Sequence, residues 1–225
     1  MSKRIILLAL AAVSAAALVL PAMAMALTEE EEKAVHVVPA PTGTKTIDGE
    51  GTPTLTGNFG SVVCKGSSGK ATFENSTTGT FEQTFTGCTL GTSKCTTEGQ
   101  AEEVITTTEL PFHLLTVEDT TTHAFGPGIL VTPNPTTGVF AHFVCGFLKF
   151  TVEGNGLVGT ITNPKCSETS DQATIEFSSS STGVQTHKTV VGTTTEYSLT
   201  NQGLAVSEDA AGVITLGTPA KLECT

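Results

Sequence analysis

Six cysteines and five histidines are the side chains from which covalent or metal chemistry could be built in this 225-residue chain. The histidines (His36, His113, His123, His142 and His187) stand singly. None forms an H-x-H or H-x-x-x-H pair or joins a Cys/His cluster, so zinc-type spacing is missing. His142 and Cys145 are the closest match to a base and a nucleophile. In an extended chain, however, residues three apart point to opposite faces. Carboxylates pair at Glu118-Asp119 and Glu208-Asp209 and run from Glu29 to Glu32, without the D-x-D-x-D-G pattern of a calcium loop. They read as solvated turns and an acidic arm. Gly66-Ser-Ser-Gly-Lys70 lacks the spacing of a phosphate loop and reads as a hairpin turn. Lys149 with Glu82 or Glu176 would be the members of an internal isopeptide crosslink, though no motif specifies one. No G-x-S-x-G elbow occurs. The expectation is therefore no catalytic, cofactor or metal site, and no bound cofactor.

The cysteines then read as structural. Cys64, Cys88, Cys95, Cys145, Cys166 and Cys224 form an even set, which in an exported chain implies a disulfide framework. Six cysteines allow fifteen pairings, and spacing alone does not choose among them.

Export is expected from the first 26 residues. Lys3 and Arg4 precede an apolar run, Ile5 to Leu20, which Pro21 breaks ahead of two small-residue sites ending at Ala24 and Ala26. This is the pattern of a signal peptide cut after Ala26, with Ala24 as the alternative site and a retained membrane anchor as the competing reading. No membrane insertion is expected once the leader is removed. The formal charge is −11, and the acidic excess deepens when Lys3 and Arg4 leave with the leader. Such a chain repels nucleic acid and anionic membranes. Arg4 is the only arginine, so bidentate phosphate or carboxylate clamps are excluded from the remainder.

The elements that would position any site are strands. Phe140 to Glu153 is the densest apolar stretch outside the leader, alternating on either side of Gly146, which marks a bulge or a tight turn. From Asn58 onward, short β-branched and aromatic runs recur between Gly, Ser, Asn and Pro clusters. Threonine, with 42 copies, suits exposed sheet faces where hydroxyls pair across strands. The fold class is all-β: an antiparallel two-sheet β-sandwich, or alternatively a β-barrel, braced by disulfides. The expected organisation is a signal peptide (1–26), an acidic and Pro/Thr/Gly-rich linker (27–57), and one all-β domain (58–225). Glu29–Glu32 could start a short helix ending by Val38. Phe59-x-x-x-Val63-Cys64 parallels Phe140-x-x-x-Val144-Cys145, which raises a duplication of 58–137 and 138–225.

Phe85-Thr-Gly-Cys88 followed by Lys94-Cys95-Thr, with Phe143-Val-Cys145-Gly and the run 151–162, resembles a large group of uncharacterised exported actinobacterial β-proteins over about 60–165. The resemblance implies an exported β-domain and no particular activity. It suggests the pairs Cys88–Cys95, Cys64–Cys145 and Cys166–Cys224. Duplication would instead give Cys64–Cys88, Cys145–Cys166 and Cys95–Cys224. The functional expectation is an exported, non-catalytic structural or interaction protein of the cell surface or medium, meeting cell-wall, protein or glycan partners. A glycan- or small-ligand-binding module is the alternative, and an exposed Phe cluster would favour it.

Overall fold

The computed structural model describes residues 34–119, 122–179, 185–186, 189–193 and 195–225. The leader and Glu29–Glu32 lie outside the described residues. The remainder is all-β, and no helix occurs among the described residues. In chain order the strands are β1 (Val35–Val38), β2 (Thr44–Gly57), β3 (Gly60–Val63), β4 (Gly66–Phe73), β5 (Thr78–Thr86), β6 (Thr89–Leu90), β7 (Ser93–Thr96), β8 (Val104–Thr106) and β9 (Leu110–Glu118). They continue as β10 (Phe125–Val131), β11 (Val139–Cys145), β12 (Leu148–Gly154), β13 (Leu157–Asn163), β14 (Thr169–Phe177), β15 (Thr189–Val190), β16 (Leu199–Asn201) and β17 (Leu204–Cys224).

All strands join one sheet. Its ladders run in two circuits that close on themselves. One passes from β17 through β2, β4, β5, β9, β10, β13 and β14 back to β17. The other passes from β17 through β2, β3, β6, β7, β11, β12 and β16 back to β17. Closed ladders leave few strand edges unpaired, which is the advantage of a barrel. The inward faces nevertheless pack across a common interior, as in a sandwich.

β2 and β17 serve both circuits, because each is long enough to pair with different neighbours along its length. β2 pairs with β4 over Thr44–Asp48 and with β3 over Thr54–Gly57. This corrects the linker expectation: residues 35–38 and 44–57 are strands, and Val35 and Ile47 are core residues. The glycines and Pro53 of β2 hide its pattern. Gly49 is needed because a Cβ there would fall on Ser67 Oγ and the Ser67 carbonyl of β4. The helix expected to end by Val38 is replaced by β1, which pairs with Lys221–Cys224 of β17. Gly66–Lys70, expected as a turn, is the first part of β4.

Val139–Cys145 and Leu148–Gly154 form a hairpin, with Gly146 at φ 62° in its turn. Side chains alternate as the sequence implies. Ile129 and Val131 of β10 enter the main core, whereas Leu130 faces the other way. Leu130 joins Leu115, Val117, Val158, Val190 and Tyr197 in a second cluster. Threonine pairs also form across strands: Thr44 and Thr72 hydroxyls lie 3.3 Å apart, and Thr56 Oγ1 lies 3.0 Å from Ser61 Oγ.

Three disulfides brace the sheet: Cys64–Cys88, Cys95–Cys145 and Cys166–Cys224. The first matches the duplication pattern and the third matches the pattern implied by the resemblance. Cys95–Cys145 belongs to neither. Neighbouring ladders explain it. The Cys95 amide donates to the Cys88 carbonyl at 3.0 Å, so these two cysteines are neighbours across the β6–β7 hairpin. Each then bonds outward, to Cys64 on one side and to Cys145 on the other, where Cys95 and Cys145 are register partners with Cα atoms 4.0 Å apart. Disulfides of this number fit an oxidising compartment.

Candidate functional site

The candidate site is an interior cavity. Its volume is about 120 Å3, and inward side chains from strands of both circuits line it. For scale, an engineered apolar cavity of about 150 Å3 is enough to admit benzene. Six lining residues that pack on the core stay only partly buried: Leu55, Phe73, Phe81, Phe85, Ile175 and Phe177. Close-packed interiors leave little such surface. These side chains converge because period-2 alternation points Phe81, Gln83 and Phe85 of β5 to one face, as it does Ile175 and Phe177 of β14.

The lining is almost wholly apolar. Among the described residues its polar side chains are Thr54, Gln83, Thr107 and Glu208, and of these Glu208 alone is ionisable. Thr107 Oγ1 accepts from the Gln83 amide at 3.0 Å, which fixes the strand beside the cavity. Gln83 Oε1 lies over Gly69, where a Cβ would collide with it.

Glu208 sits on β17 opposite Leu55 of β2. Its backbone amide donates to Gln185 Oε1 at 3.1 Å, and its carboxylate forms no hydrogen bond or ion pair among the described residues. It retains some accessible surface and lines the cavity. Burial among apolar side chains, with the neighbouring Asp209 charge adding to it, raises its pKa to about 7. The sequence expectation of a solvated turn carboxylate is corrected here. Alternation places Glu208 in step with buried Val206, a signal that the Glu-Asp pair obscured.

The other candidates do not assemble. Cys145 is bonded to Cys95, and exposed His142 places Nδ1 3.0 Å from Thr151 Oγ1, so no nucleophile and base face each other. Glu118 Oε1 is 2.7 Å from His123 Nδ1, and Asp119 Oδ1 accepts from the Thr122 amide at 2.6 Å. Among the described residues, no three His, Cys, Asp or Glu side chains gather as a metal site. Lys149 projects from the exposed end of β12. Glu82 instead pairs in register with Lys70, and Glu176 Oε1 accepts from Thr162 Oγ1 at 3.2 Å.

The Phe residues divide between inside and outside. Phe147 is 91% exposed at the β11–β12 turn and Phe125 is 63% exposed at the start of β10. Close ring pairs are interior: Phe143 stacks on Phe150 at 4.9 Å, Phe59 meets Phe150 edge-on at 4.8 Å, and Phe73 meets Phe112 edge-on at 5.3 Å. The aromatic concentration is thus inside the molecule, around the cavity, rather than on a surface platform. Comparison with protein-family models, curated proteins and solved structures gives no match.

Proposed function

We propose that this chain is an exported, non-catalytic binding protein that holds a small apolar molecule in its interior cavity. The observation that carries this is the partly accessible, Phe-rich lining of a cavity whose volume of about 120 Å3 is close to that of cavities that take up benzene. Binding sites for small molecules are concave and mostly apolar, with a few polar groups that set orientation, and Gln83, Thr107 and Glu208 are such groups here. The apolar lining favours a hydrophobic ligand over a glycan. Export is supported by the basic, apolar and small-residue pattern of the leader and by the three disulfides. A non-catalytic role is supported by the separation of the side chains that could supply a nucleophile, a base or a metal site.

The test is thermal unfolding of the leader-free protein in rising concentrations of toluene. A ligand that binds only the folded state raises the midpoint as its concentration passes the dissociation constant. A saturable rise is expected. A flat or falling midpoint would remove the proposal.

A further inference from the structure

We propose that Glu208 makes the cavity selective for hydrophobic amines, its carboxylate pairing with the ligand's ammonium while the Phe-rich walls take the hydrocarbon. This rests on the cavity being a binding site and goes on to name the ligand class. The observations are the cavity's charge inventory and Glu208's lack of a partner. Among the described residues no Lys, Arg or His lines the cavity, so a carboxylate or phosphate ligand would find no counter-charge there and would face Glu208 itself. The Glu208 carboxylate has no hydrogen-bond or ion-pair partner among the described residues, although its own backbone amide is held by Gln185. A carboxylate set in an apolar cavity wall without a partner is costly, and a charge-assisted hydrogen bond from an ammonium relieves that cost.

Among the described residues, the charged groups next to Glu208 on its strand and on the strands paired beside it there are acidic. Asp209 adjoins it on β17, Asp48 and Glu50 lie on β2 opposite Val213 and Ala211, and Glu176 lies on β14 opposite Ala211. Lys45 of β2 stands near Gly217, farther along β17. The local field therefore favours a cationic guest and disfavours an anionic one. Raising pH through about 7, where Glu208 ionises, strengthens the pairing while an alkylammonium keeps its proton.

The experiment is a calorimetric titration of the leader-free protein with toluene, benzylamine and benzoate, at about pH 8 and about pH 5.5, with wild type and Glu208→Gln. Benzylamine is expected to bind wild type at least about tenfold more tightly than toluene at the higher pH, as one charge-assisted hydrogen bond supplies. Benzoate is expected not to bind. The benzylamine preference should shrink at the lower pH and vanish in Glu208→Gln, so that benzylamine and toluene bind the variant with similar affinity. Toluene binding without a benzylamine preference, or a preference that survives in Glu208→Gln, would overturn the amine assignment and leave the cavity reading standing. If neither toluene nor benzylamine binds, the cavity reading fails and the amine assignment fails with it.

Discussion

Glu208 holds its proton in the folded protein at pH values where the unfolded chain has released it. Its folded pKa is about 7 against an ordinary value of 4.5. The native state therefore binds more protons than the unfolded state across that window, and stability falls as pH rises from about 4.5 through about 7. Above the window the penalty is constant. Allowing for the group's partial accessibility, Glu208→Gln is expected to gain on the order of 2 kcal/mol at pH 8 and almost nothing near pH 4. Denaturant unfolding of both proteins across that range checks it. An equal effect at both ends would mean that the carboxyl is solvated. Cysteine pairing belongs to the same scale. Peptide mapping without reduction should recover the three observed pairs and no peptide closed on itself through Cys88 and Cys95. Replacing Cys95 and Cys145 together by Ser should cost about 2–4 kcal/mol.

Among the elements, β2 and β17 organise the sheet, because each contributes to both closed circuits. Gly49 gives a direct test of β2. Were residues 27–57 a linker, Gly49→Ala would change stability by no more than about 0.5 kcal/mol. With β2 packed on β4, the new Cβ must displace the Ser67 backbone, and a loss on the order of 2 kcal/mol is expected in chemical denaturation. Elements with regular alternation were legible in the sequence: β11 and β12 follow the expected apolar periodicity on either side of Gly146. β2 and β17 were not, for one physical reason. Both carry Gly and Pro where neighbouring chains approach or the register shifts, as between Asp209 and Ala211, and these residues also punctuate loops. β17 consequently reads as three short segments rather than one strand. The short strands β6 and β7 hold too few residues for periodicity to register, and their absence from the sequence pattern hid the row of cysteines that fixes the pairing.

For the whole molecule, the sequence shows that apolar residues alternate but not how completely they fill the space they enclose. Eleven Phe side chains, by number alone, do not tell a filled interior from a hollow one. Closure of the ladders leaves room inside, and Leu55, Phe81, Phe85, Ile175 and Phe177 line that room without being fully covered. Glu208 was hidden in a related way: alternation ties it to Val206, and closure of the ladders turns that strand face toward the cavity. The cavity is therefore the feature on which the functional account depends.

The most direct measurement is a methyl NMR titration of the leader-free protein with toluene. The account predicts saturable shifts for Ile129, Val131, Leu157 and Ile175, which line the cavity. Leu130 and Val158 of the second cluster, and exposed Leu204, should stay unmoved. Shifts confined to Leu204 and other surface methyls, or none that saturate, would show that the interior does not take up a ligand and would contradict the account.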